Sequence, residues 1–135
     1  MNSSLALQQA VFASLSADAA LAALLGAGHV HDHVPHAAHF PYVTLGHSAV
    51  YDWGTASEEG GEHFVTLHAW SKARGRKEVL EIIEAVIDAL EAAPPQPAGH
   101  VLVNLTAERI EVRFDDDLDG YHGLVRYRAV TEPAN

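Results

Sequence analysis

No cysteine occurs among the 135 residues, which excludes a disulfide framework and any Cys-based zinc or redox site. Basic residues are scarce as well: eight Lys and Arg stand against 18 Asp and Glu, a formal charge of −10. A chain charged in this way is not built to wrap nucleic acid, where Lys and Arg must replace counterions. Long apolar runs are missing, and no window approaches the roughly 18 residues that span a bilayer. Met1-Asn2-Ser3-Ser4 has neither the basic residues nor the apolar stretch of a signal peptide. These absences predict a soluble chain made in the cytoplasm, with no membrane partner. Nucleophile elbow, phosphate loop and dinucleotide fingerprint are also absent. No enzyme activity and no cofactor are expected.

What is present reads as one α+β domain over residues 1–135, with 48% hydrophobic residues to fill one core. Leu5, Leu7, Val11, Phe12 and Leu15 form a helical stripe, and a second short helix is expected over Ala19–Leu25, with Ser16 as N-cap and Gly26 as the stop. The histidine-rich connector that follows, interrupted by Pro35, leaves room for a short edge strand over Val30–Val34. Two strands are expected at Phe40–Gly46 and His63–Trp70, both rich in β-branched and aromatic residues. Between them runs a polar arm, Trp53 to Glu62, of a length that inside a small domain is usually functional or disordered.

The clearest helix spans Gly75–Ala92. Val79, Ile82, Ile83, Val86, Ile87 and Leu90 recur at three- and four-residue steps, and Pro94-Pro95-Gln96-Pro97 ends the run. Three strands are expected beyond it: one alternating at Val101, Val103 and Leu105, one at Ile110, Val112 and Phe114, and one over His122–Val130 with Val125, Tyr127 and Ala129 inward. Asp115 to Gly120 reads as the turn before the last strand. The predicted architecture is a mostly antiparallel sheet of four to five strands, a long helix packed on one face, and a helical N-terminus.

Two patterns invite a metal. His29, His31, His33, His36 and His39 could place alternate imidazoles on one side of a strand. Short histidine tracts occur far more often as solvated connectors. Asp115, Asp117, Asp119 and Gly120 match the first half of a calcium loop, but Arg126 stands where the bidentate glutamate is required. No metal site is assigned to either pattern. A histidine-rich metal-binding protein or metal-dependent enzyme is the alternative reading of the chain, and a dimeric ligand-binding domain is a third. Ser71 to Lys77 is the only basic cluster, suited to an acidic partner surface.

An ordered set of positions along nearly the whole chain resembles the tail completion, or tail terminator, family of long-tailed phages and gene transfer agents. It comprises Leu15-Ser16-Ala17-Asp18 with Leu21 and Leu24-Leu25-Gly26, then Asp32, Pro35 and Pro41-Tyr42-Val43-Thr44-Leu45-Gly46. His68-Ala69-Trp70-Ser71, Gly75 and the helix from Glu78 to Leu90 follow. Asp115, Asp119-Gly120, His122-Gly123 and Arg126-Tyr127-Arg128-Ala129 complete it. The histidines at 29, 31, 33, 36 and 39 lie outside the pattern.

The resemblance implies a structural virion protein that forms a hexameric ring at the head-proximal end of the tail. There it would end tail growth and meet the tail tube protein on one side and the head–tail connector protein on the other. DNA would pass through the ring without specific binding, for which an acidic wall is suited. On this reading Trp53, Gly54, Thr55, Glu58, Glu59 and Glu62 are the candidate contacts to a neighbour or the tube, and Asp115, Asp116 and Asp117 the candidate lumen residues.

Overall fold

The computed structural model describes residues 2–26, 29–35, 38–52 and 60–134, with the backbone alone at Asp52. Eight elements follow one another: α1 (Ser3–Ser16), α2 (Ala19–Leu25), β1 (Val30–His31), β2 (Tyr42–Asp52), β3 (Gly61–Ser71), α3 (Lys77–Ala92), β4 (His100–Asp115) and β5 (Gly120–Pro133). The strands form one sheet in the order β1-β2-β3-β5-β4. Only β1 and β2 run parallel; the other three pairings are antiparallel. Among the described residues no single helix is long and apolar enough to cross a membrane.

The helix ends follow from capping chemistry. Asn2 caps α1 by accepting the Leu5 amide, and Asp18, not Ser16, caps α2 by accepting the Leu21 amide at 2.9 Å. Ser16 is the last residue of α1, so the turn between the helices is shorter than the sequence led us to expect. The Asp18 carboxylate satisfies a free amide and meets the positive end of the α2 dipole, where a hydroxyl would do only the first.

The main core cluster lies on one face of the sheet. In β3, Gly61, His63, Leu67, Ala69 and Ser71 are buried toward the helices, and in β5 so are Gly123, Val125, Tyr127, Ala129 and Thr131. α3 presents Val79, Ile82, Ile83, Val86, Ala89 and Leu90 to that face, as its 3.6-residue stripe requires. α1 adds Leu7, Val11 and Leu15, and α2 adds Leu21 and Leu25. Gly123 lets α3 come close. A Cβ there would stand 2.6 Å from Ile83 Cδ1 and 2.9 Å from Val79 Cγ2.

The last part of the sheet differs from expectation. Residues 100–115 form one sixteen-residue strand rather than two, and its register against β5 shifts between Leu102 and Asn104 and again between Ala107 and Arg109. Each shift is a bulge, which breaks the two-residue alternation on which a sequence reading depends. Leu102 and Leu105 therefore pack toward the helices, while Val101 and Val103 are about half exposed, at 51% and 54%. β1 is only two residues long, against the five expected over Val30–Val34. β3 begins at Gly61, two residues before the expected start.

Candidate functional site

Among the described residues every helix lies on one side of the sheet, and the residues of the other face are set by alternation. β3 turns Glu62, Phe64, Thr66, His68 and Trp70 outward, opposite its buried positions, and β5 turns His122, Leu124, Arg126 and Arg128 the same way. Trp70 pairs with His122 across the ladder, and their rings stack at 4.1 Å and 14°. His68 stacks on His122 at 4.9 Å, and its Nδ1 lies 2.6 Å from His122 Nε2. Trp70 Nε1 donates to Thr44 Oγ1 at 3.1 Å. Tyr42 continues the row at 6.4 Å from Trp70, with Phe40 4.8 Å and His31 5.8 Å beyond it. A ladder of rings thus crosses four strands at one end of the face.

These rings shelter one another. His122 is only 6% exposed although no helix covers it. Burial holds His122 and His68 below the usual imidazole range, and the neighbouring His68 and Arg113 press His122 further down against Asp115 and Glu111. One hydrogen bond between two imidazoles needs one donor and one acceptor nitrogen, so the pair is held with at least one ring neutral. The other end of the face is charged: Arg126 lies 4.6 Å over the Phe64 ring and 3.8 Å from Glu108, and Arg128 is paired with Glu62.

The sheet also ends in a long edge at β4. It exposes Val101, Val103, Ile110 and Phe114, all large apolar side chains. Edge strands with exposed hydrophobics are templates for association unless bulges or charges blunt them. Here bulges interrupt residues 102–108, while 109–115 pairs in continuous register.

Of the residues the sequence singled out, Trp53, Gly54, Thr55, Glu58 and Glu59 lie outside the described residues. Glu62 is a strand residue whose carboxylate is engaged by Arg128. Asp115 ends β4 and accepts the Leu118 amide at 3.1 Å, and Asp116 and Asp117 are exposed in the turn that leads to Gly120. Of the connector histidines, His29 contacts the Pro41 carbonyl at 3.1 Å and His31 lies beside Tyr42; His36 falls outside the described residues. Among the described residues no three His, Asp or Glu side chains converge as metal ligands. The ring ladder was not anticipated as a unit. Its signal was the even-numbered set His68 and Trp70 together with His122, which only the register joins.

Comparison with known proteins adds the following. The family described as tail completion protein gp17 matches residues 9–132. A chain from the virion of a native gene transfer agent particle superposes with a TM-score of 0.87 at 33% identity, over 96% of this chain and 97% of that one. The gp17 protein of bacteriophage SPP1 superposes with a TM-score of 0.60 at 25% identity, over 98% of this chain and 91% of that one. None of the curated proteins compared matches.

Proposed function

The chain belongs to the tail completion protein family, and on that premise we propose that it caps the head-proximal end of the tail tube as a ring, ends tail growth and joins the tail to the head connector. A structural role in tail assembly follows from the family itself. The observation that carries the finer reading is the likeness, along 96% of the chain, to a component of an assembled virion. The free β4 edge and the ring ladder on the helix-free face supply surfaces of the kind that bind further chains.

In this reading the segment from Trp53 to Glu59 reaches a neighbour or the tube, and Asp115, Asp116 and Asp117 line the lumen, where carboxylates repel the DNA backbone. The partners are further copies of the chain, the tail tube protein and the connector protein. Electron microscopy of particles made without this protein tests the proposal. Overlong tails, or tails without heads, are expected. Joined particles with tails of normal length would overturn it.

A further inference from the structure

Apart from Glu78 in its first turn, the charges at the ends of α3 run against its own dipole. Glu91 stands in the last turn, which holds no basic residue, and Asp88 lies three residues before it. A carboxylate there meets the negative pole of the helix. At the other end Arg74, Arg76 and Lys77 gather at the positive pole, within a loop that carries four of the chain's eight basic residues. Neither set is placed for the benefit of the helix.

The acidic end overlooks a cleft of about 260 Å³ between α3 and β4. Ile87 and Leu90 form one wall and Leu102 and Leu105 the other, with Glu91 at the rim. Tyr127 lines the cleft from β5. It is 4% exposed, and among the described residues its hydroxyl has no hydrogen-bond partner. Buried hydroxyls are rarely left this way, and each such case calls for an explanation. Burial, with Glu91 and Asp88 adding to it, holds the phenol proton far above its ordinary range, so the oxygen stays neutral and able to accept. Aliphatic walls with a carboxylate at the mouth complement a methylene stem ending in a cationic N–H donor, and the enclosed phenol below adds no competing negative charge.

The chain supplies that cation itself. Lys72 lies 4.9 Å over the Phe40 ring, Arg76 lies 5.3 Å over the Tyr121 ring, and Lys77 pairs with Glu81 at 3.6 Å. Of these four cations Arg74 is the one with no such contact among the described residues; it is exposed beside Gly75, whose φ of 96° turns the chain into α3. Arg74 and the cleft sit at opposite ends of a sixteen-residue helix, about 24 Å long at 1.5 Å per residue, so Arg74 cannot fill the cleft of its own subunit.

We propose that Arg74 of one copy enters the α3–β4 cleft of the next, its stem along Leu102 and Leu105 and its guanidinium against the Glu91 carboxylate at the rim. The two patches differ, so the contact is head-to-tail and repeats from copy to copy, as a closed ring requires. It rests on the ring reading and names one of its contacts.

A peptide of residues 71–77 added to the methyl-labelled full chain tests the cleft directly. The Ile87, Leu90, Leu102 and Leu105 methyl resonances are expected to shift, and the response to weaken at least tenfold with Glu91→Gln or with alanine in place of Arg74 in the peptide. Shifts confined to other surfaces, or unchanged by those substitutions, would overturn the proposal. In particles, Arg74→Glu and Glu91→Arg are each expected to lower yield at least tenfold, and the double exchange to recover most of it. Both changes favour the helix dipole, so each isolated variant should melt at or above wild type, which separates lost assembly from lost folding. A double variant no better than the worse single one would sink the contact. Copies that make a ring into which both single variants enter at wild-type yield would remove this contact and leave the ring standing. Wild-type particles without contacts between copies would remove the ring itself.

Discussion

Gly123 lets the long helix pack close against the sheet, and replacing it with alanine tests whether that approach holds the two layers together. The added Cβ would sit 2.6 Å from Ile83 Cδ1 and 2.9 Å from Val79 Cγ2, well inside van der Waals contact. Ile83 and Val79 are 2% and 0% exposed, so neither can swing into solvent. Overpacking of this kind costs about 1–3 kcal/mol. Alanine in place of glycine within a strand recovers only part of that through its smaller loss of backbone freedom. For a chain of this size the net loss is several degrees in Tm. Ile83→Val removes the nearer of the two methyls and by itself costs about 0.5–1.5 kcal/mol through the space it leaves. In the double variant the new methyl and the vacated space coincide. The pair should therefore be more stable than the sum of the single losses by about 0.5 kcal/mol or more. Urea unfolding followed by circular dichroism measures all four proteins. A wild-type midpoint for Gly123→Ala, or strictly additive losses, would refute the packing argument.

Two more predictions concern the histidines and the ring ladder. His31, His63, His68 and His122 are all held below the ordinary imidazole value of 6.5 in the fold, chiefly by burial, so the unfolded chain binds protons first on acidification. Their contribution to stability is complete above about pH 6.5 and drains away as pH falls toward the folded values, with a slope of up to about 1.4 kcal/mol per pH unit for each. Thermal melts should show a lower Tm at pH 5.5 than at pH 7.5, and a flat profile would contradict this. Trp70→Ala strips the 4.1 Å stack from His122 and the hydrogen bond from Thr44. Because Trp70 is only half-buried, the loss should be about 2–3 kcal/mol, short of the ~3–5 kcal/mol of a fully enclosed tryptophan. Titration followed by NMR should also show the His122 pKa moving back up, and an unmoved value would mean that Trp70 does not shelter it.

How much could be read from the sequence depended on how regular each element is. α3 was legible because its six aliphatic residues keep a helical period without interruption and a proline run closes it. β5 was legible because Val125, Tyr127 and Ala129 alternate without a break. β4 was not, since two bulged residues reset its alternation and turned Val101 and Val103 outward. Ser16 was mistaken for a cap because hydroxyl and carboxylate are both good caps, and only the turn geometry chose Asp18. The ring ladder joins His31, Tyr42, His68, Trp70 and His122 across four strands, and the cleft joins residues 87–91, 102–107 and 127. Neither has a local pattern, because both are products of register.

β4 has one last consequence. From His100 opposite Pro133 to Asp115 opposite Gly120 it spends sixteen residues where its partner spends fourteen. Two strands of unequal contour, joined along their length, cannot both be straight. The longer one takes the outer arc, as in a bimetallic strip, and this border of the sheet curls. A version of the chain without Val103 and Glu108 would match lengths and lie flat, bringing Leu102 and Leu105 down onto α3 and closing the space between them. The shape of this border is thus written as a difference in length, two residues with no backbone partner on β5.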